Sequence, residues 1–191
     1  MIYKKDKRGF TLVEMLISTA LFAVVMLVSV GSLLSLVDAN RRAQSLKSVI
    51  NNLNFALENM SRNIRVGRTY HCHNSVNPPG NLDEPKDCQN GGILFAFEAH
   101  DGDTGTASDQ IIYRIKDNKM EKSANGGSTF TGITAEEVNI TDMQFYVDGT
   151  ASNDEEQPLV VITISGTAGV TAAQQTSFDI QTTVSQRLLD I

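Results

Sequence analysis

Glu14 is the only charged residue in an apolar run that extends from Phe10 to Val37. A carboxylate inside a membrane segment costs about 2.5 to 3.5 kcal/mol, so such a residue normally has both a partner and a function. No cation lies within the run itself. If the chain were cut after Gly9, Phe10 would carry a new positive amine one helical turn from Glu14. That amine could pair with Glu14 of the same chain or with the glutamate of a neighbouring chain.

A second group of reactive side chains comprises Cys72 and Cys88, with His71 and His73 beside the first cysteine. Outside the cytoplasm, two cysteines that enclose about 15 residues are most simply a disulfide. The alternative is a metal site made of all four residues. In an extended chain, successive side chains point to opposite sides, so both histidines would face away from Cys72. The sequence therefore favours the disulfide and predicts no metal site.

The stretch "HDGDTGT" (residues 100–106) contains the triplet Asp103-Thr104-Gly105, which also occurs in aspartic proteases. It follows polar residues rather than an apolar strand, and no second carboxylate is evident to share a proton. It also imitates the start of a calcium loop, but Gly105 and Ile112 occupy positions that require oxygen ligands. We expect a polar turn here, and a solvated loop at "NDEEQP" (153–158). With no phosphate-binding loop or nucleophile elbow, the sequence predicts no catalytic residue, no enzymatic activity and no cofactor.

The apolar run 10–37 is long enough to cross a membrane. Its 28 residues exceed the roughly 20 that a ~30 Å hydrocarbon core requires. The basic residues just before it favour a single-pass topology with a cytoplasmic N-terminus and an extracytoplasmic head. The alternative is an ordinary signal peptide cut near Asn40, but the apolar run is too long for one.

Beyond the apolar run, apolar residues recur at three-and-four spacing: Leu46, Val49, Ile50, Leu53, Leu57, Met60 and Ile64. No proline interrupts the chain, so we predict one helix from about Phe10 to Val66, with its second half amphipathic. Strand-like segments follow at 92–99, 110–116, 119–123, 138–149, 157–166 and 176–189. Asp117-Asn118 suits a tight hairpin. The predicted fold class is α+β, with a long helix packed on an antiparallel β-sheet head.

The net charge of −6 is unevenly distributed. Residues 69–191 hold six basic and 18 acidic side chains, which disfavours nucleic-acid binding through the head because such binding relies on lysine and arginine. Basic residues instead decorate the helix or follow it: Arg41, Arg42, Lys47, Arg62, Arg65 and Arg68. They are either solvated or paired with acidic heads of neighbouring subunits.

The segment "KRGFTLVEMLISTALFAVVML" resembles the class III signal sequence of type IV prepilins and pseudopilins. The resemblance implies that prepilin peptidase cuts between Gly9 and Phe10, that Phe10 becomes N-methylated, and that Glu14 registers each subunit on its neighbour. The segment "ALENMSRNIRVG", at the end of the predicted helix, and "FDIQTTVSQRLL", near the end of the chain, are similar to the corresponding segments of minor pilins and J-type pseudopilins. Many members of this family have a proline in the membrane helix that locally melts it in the filament. This sequence has no proline there, and Gly31 is the residue that could loosen the helix instead.

These inferences divide the chain into a leader (1–9), a membrane and filament-core helix (10–37), an amphipathic helix (38–66), a loop with the disulfide (67–91) and a β head (92–191). We predict a structural subunit of a type IV pilus-like or type II secretion filament. Its partners would be prepilin peptidase, other pilin or pseudopilin subunits and the cytoplasmic membrane. The alternative is a membrane-tethered binding module with an acidic head, which would retain residues 1–9.

Overall fold

The computed structural model describes residues 9–103, 105–151, 156–169 and 175–187. It contains one long helix, α1 (Leu12–Val66), a short 3-10 helix (Ala107–Asp109) and nine strands. The strands are β1 (Arg68–His73), β2 (Cys88–Gly92), β3 (Leu94–Glu98), β4 (Ile111–Lys116), β5 (Lys119–Ser123), β6 (Thr131–Gly132), β7 (Val138–Asp148), β8 (Leu159–Ala168) and β9 (Thr176–Ser185). The chain divides into two compact units, of which the first ends at Ala43 and the second begins at Gln44. The predicted α+β class is confirmed.

The strands form two antiparallel sheets rather than the single sheet that the sequence suggested. One has the order β1-β3-β4-β5-β6 and the other β2-β7-β8-β9. The predicted hairpin at Asp117-Asn118 joins β4 to β5, and both residues have positive φ values, 49° and 61°. Such values are typical of the tight turn that matches the twist of paired strands. The Asn118 backbone carbonyl accepts from Ile140 N–H at 2.9 Å, which links this hairpin to β7 of the other sheet.

The main core of the second unit lies between α1 and both sheets. The predicted apolar face of the helix is confirmed, with Leu53, Met60 and Ile64 fully buried. Phe95 of β3 stacks on Phe145 of β7 with ring centroids 5.4 Å apart, so aromatic contact joins the two sheets beneath the helix. Burying a large apolar side chain contributes about 1.5 to 3 kcal/mol, so this face fixes the helix on the head.

Segment 67–91 is not simply a loop, which corrects the sequence interpretation. It contains β1, paired with β3, and most of β2, paired with β7. The composition "CQNGG" is a poor strand signal, because asparagine and glycine are depleted in strands, and "RTYHCH" has only two residues, Thr69 and Tyr70, of the types enriched in them. Tertiary pairing overrides that preference here.

Candidate processing and assembly site

The chain enters α1 through three residues without regular structure, Gly9 to Thr11. A β-carbon added at Gly9 would have no neighbour within 4 Å. Phe10 is also exposed, with 75% of its surface accessible. The backbone on both sides of the Gly9–Phe10 bond is therefore open to an enzyme. The basic cluster of the leader, Lys4 to Arg8, lies outside the described residues.

Glu14 has a local partner that sequence reasoning missed. Its carboxylate accepts from the Thr11 backbone N–H at 3.4 Å and from the Thr11 hydroxyl at 3.5 Å. In return, Glu14 N–H donates to the Thr11 hydroxyl oxygen at 3.3 Å. This reciprocal pattern is a capping box, in which a threonine before the helix and a glutamate three residues later satisfy each other's backbone donors. The letters "TLVE" match that motif, so the signal was present in the sequence.

The capping box satisfies hydrogen bonds of Glu14 but does not neutralise its charge. Among the described residues, no cation forms an ion pair with Glu14. Cleavage after Gly9 would leave the capping box intact, since the Thr11 N–H remains an amide. A new amine on Phe10 would then stand two residues before the helix begins. The site can therefore combine a local cap with a carboxylate that is available to a cation from elsewhere.

The first unit exposes a nearly continuous apolar surface. Its large side chains are mostly more than half exposed, for example Leu27 at 75% and Leu36 at 68%. Hydroxyl groups within it bond back to helix carbonyls, as Ser18 does to Glu14 O at 2.8 Å and Ser29 to Val25 O at 2.8 Å. Such bonds satisfy polar groups where water is excluded. Within the described residues, α1 is the one helix long and apolar enough to cross a membrane.

Cys72 and Cys88 form a disulfide, with Cα atoms 5.7 Å apart. The bond joins β1 of the five-stranded sheet to β2 of the four-stranded sheet, so it ties the two sheets together. A β-carbon at Gly92 would approach both sulfur atoms, at 2.5 and 2.7 Å, which explains why glycine suits this position. The disulfide uses both thiols that the alternative metal site would need.

The two histidines beside the disulfide lie near each other, with ring centroids 6.1 Å apart, but they differ in burial. His71 is buried, and its Nδ1 lies 2.7 Å from the carbonyl oxygen of Glu84, to which a protonated Nδ1 donates. Its buried Nε2 has no partner. Burial lowers the pKa of His71, chiefly because the imidazolium form would lose its hydration. His73 lies against Lys86, with Nδ1 and Nζ 3.4 Å apart.

The predicted polar turn at "HDGDTGT" is confirmed for the residues that the structure describes. The Asp103 carboxylate accepts from Gly105 N–H at 3.2 Å and from the Thr106 hydroxyl at 3.3 Å. Thr104 lies outside the described residues, as do positions 153–155 of "NDEEQP".

On the helix, Arg62 pairs with Glu58 at 3.6 Å, but both side chains are more than 60% exposed, so this pair contributes little to stability.

The N-terminal segment matches a known family model. Residues 4–30 match the prokaryotic N-terminal methylation motif. No curated protein and no solved structure matches the chain. The motif covers the bond between Gly9 and Phe10, the capping box and most of the apolar run 10–37. Together with the α+β architecture, this match supports a type IV prepilin-like protein.

Proposed function

We propose that this chain is a structural subunit, a minor pilin or pseudopilin, of a type IV pilus-like or type II secretion filament. Prepilin peptidase cuts between Gly9 and Phe10 and methylates the new N-terminus. Glu14 then sets the register of each subunit against its neighbour. The observation that carries the proposal is the methylation motif at residues 4–30, which coincides with an apolar helix surface.

The physical logic of assembly follows from Glu14 and the apolar surface. In the membrane, residues 10–37 span the bilayer, with the N-terminus cytoplasmic and the head outside. In the filament, the same surface packs against helices of neighbouring subunits. A carboxylate among apolar helices is costly unless a cation compensates it, and the Phe10 amine of a neighbour supplies that cation. Only one register brings the two charges together.

The division of the chain follows the same scheme. Residues 1–9 are the leader that the peptidase removes, and 38–66 continue the helix into the head. The acidic head, which takes β1 and most of β2 from residues 67–91, is the part that lies outside the membrane and later at the surface of the filament or in the periplasm.

Substitution of Gly9 tests processing. We expect Gly9→Val to leave the chain in the membrane at full length, nine residues longer than the mature form. The structure offers no packing reason for such a defect, because a side chain at Gly9 meets nothing within 4 Å. Immunoblots of membranes from cells with and without prepilin peptidase measure the outcome.

Gly31→Ala is the matched control, since a β-carbon at Gly31 also meets nothing within 4 Å. We expect this variant to be cut normally. Normal shortening of Gly9→Val, or an unshortened wild-type chain in cells that hold the peptidase, would overturn the proposed processing. The second result would favour the membrane-tethered binding module instead.

A further inference from the structure

The segment that contains β4, β5 and β6 is the basic part of an acidic head. Residues 110–133 hold four of the six basic side chains in residues 69–191 and only two of the 18 acidic ones. The rest of that range has two basic and 16 acidic side chains. An anion that approaches the head is therefore attracted to this segment and repelled by its surroundings.

Lys122 is a partly buried cation of this segment. It follows Met120 by two positions on β5, so its side chain lies on the face of the sheet that meets the main core. Its Nζ lies 5.7 Å from the ring centroid of the buried Tyr113. Burial lowers the pKa of Lys122, because the ammonium form loses hydration. Among the described residues Lys122 forms no ion pair, whereas Arg114 on the other face binds Glu121 at 2.8 Å.

Lys122 lines an open cleft at the β5–β6 hairpin. The cleft has a volume of about 480 Å³, which lies in the range of roughly 300 to 1,000 Å³ that small-molecule sites occupy. Its lining residues are Lys122, Ala124, Asn125, Thr129, Thr131 and Ile133. No acidic side chain is among the described residues that line it. The cleft therefore combines one cation with hydroxyl groups and an apolar wall.

The hairpin beside the cleft is held in shape by its own hydrogen bonds. The Ser123 hydroxyl donates to Asn125 Oδ1 at 2.8 Å, and the Asn125 side-chain amide donates to Thr129 Oγ1 at 2.8 Å. Asn125 Oδ1 also accepts from Thr129 N–H at 3.0 Å. The amide of Asn125 is thus used within the hairpin, but the hydroxyl proton of Thr129 remains available to a ligand. A wall that is already ordered lowers the entropic cost of binding.

The donors of the cleft suit a single negative charge. Thr131 stands opposite Lys122 in register, so a second hydroxyl lies beside the ammonium group. Backbone N–H groups that could form a nest for phosphate are already bonded: Gly126 N–H donates to Gln110 O and Gly127 N–H to Ser123 Oγ, both at 3.0 Å. One ammonium and two hydroxyls match a carboxylate better than a doubly charged phosphate.

We propose that the Lys122 cleft binds a small organic carboxylate with one or two sugar-sized rings, such as a uronic acid. Lys122 Nζ pairs with the carboxylate, while Thr129 and Thr131 donate to its oxygens or to ring hydroxyls. Ala124 and Ile133 contact the carbon skeleton. Such binding is independent of filament assembly and would serve a pilin subunit or a tethered binding module equally.

Titration of sodium glucuronate into the full chain in detergent micelles, at constant ionic strength, tests the cleft. The methyl NMR signals of Ala124 and Ile133 report on its occupancy. A ligand of about 13 non-hydrogen atoms with ordinary efficiency should bind with a dissociation constant on the order of 1 mM. Glucose, which has the same ring without the charge, should bind at least tenfold more weakly, and sodium phosphate should also bind more weakly than glucuronate.

Variants separate the cleft from general attraction to a basic segment. Lys122→Gln should weaken glucuronate binding at least tenfold, and Thr131→Val, which keeps the shape but loses the hydroxyl, about fivefold. Lys119→Gln is the matched control, because it removes the same charge from an exposed position on the same strand and should bind like the wild type. Thermal unfolding without ligand checks that each variant is folded.

The proposal is overturned by a wild-type chain without saturable shifts, by undiminished binding in Lys122→Gln, or by equal binding of glucose. An equal loss in Lys119→Gln would show that net charge alone attracts the ligand. A wild-type chain that ignores glucuronate but self-associates at low ionic strength, with the association lost in Lys122→Gln, would assign the cleft to an acidic side chain of a second copy.

Discussion

Glu14 combines two roles that a pair of substitutions separates. Glutamine at this position can still accept the Thr11 N–H, because a capping box tolerates either residue, but it carries no charge. Glu14→Gln therefore keeps the local cap and removes the registry charge, whereas Thr11→Ala weakens the cap and keeps the charge. If registry depends on charge, the first change should impair filament incorporation and the second should affect it little.

The expected magnitudes differ clearly. On insertion scales, an uncompensated charge at the centre of a bilayer costs about 2.5 to 3.5 kcal/mol, equivalent to roughly 70- to 400-fold in an equilibrium. Glu14 is the third residue of α1, so it lies near the end of the apolar segment, and these values for the centre are upper bounds. We expect at least a tenfold loss of incorporation for Glu14→Gln and for Glu14→Ala. Loss of a helix cap costs about 1 kcal/mol, so Thr11→Ala should cost about fivefold or less.

Quantitative immunoblots of sheared filaments against membranes, in cells that lack the native copy, measure incorporation. Equal membrane levels of all variants are the control for insertion and folding. Wild-type incorporation of Glu14→Gln would refute the charge argument. A defect in Thr11→Ala as large as that in Glu14→Gln would show that the capping box itself is the assembly determinant.

Two predictions concern the head. Replacing Cys72 and Cys88 together with alanine should lower the free energy of unfolding by about 3 kcal/mol, because the bond closes a loop of 16 residues in sequence separation. Thermal unfolding in detergent should then show Tm lower by about 6 to 12 °C, and a loss under 1 kcal/mol would contradict a role in tying the sheets together. His71 has a pKa lowered by burial, so below pH 6.5 the unfolded chain takes up a proton that the folded chain resists. Stability should fall as pH falls from about 6.5, and His71→Asn, which keeps a donor near Glu84 O, should flatten this dependence. His100→Asn, at an exposed position, is the control, and an unchanged profile in His71→Asn would show that another group causes the loss.

Sequence periodicity predicted the helix and the major strands because their residues meet strong local preferences. The spacing of Leu53, Met60 and Ile64 marks the buried face directly, and the Asp117-Asn118 turn has the backbone preference that a tight hairpin requires. In contrast, β2 depends on pairing with β7, which its glycines and polar residues do not suggest. Division into two sheets likewise depends on long-range contacts such as Phe95 with Phe145.

In the candidate sites, too, the sequence predicted features that depend on local residues and not those that depend on long-range contacts. Gly9, Phe10 and Glu14 stand out because a charge in an apolar run is unusual wherever the chain folds. The cap from Thr11 is encoded in the local motif "TLVE". Lys122 lies in a strand that was predicted, but its cleft depends on the pairing of β5 with β6 and on the hairpin between them. Strand alternation alone does not reveal which polar groups that hairpin brings to the lysine.

Mass spectrometry of the N-terminal peptide, taken separately from sheared filaments and from membranes of the native cell, tests processing and filament assembly together. We expect a peptide that begins with N-methylated Phe10 in the filament fraction. A chain that retains Met1 in every fraction would contradict processing and indicate a tethered binding module. A mature start near Asn40 would instead indicate an ordinary secreted protein without the apolar segment.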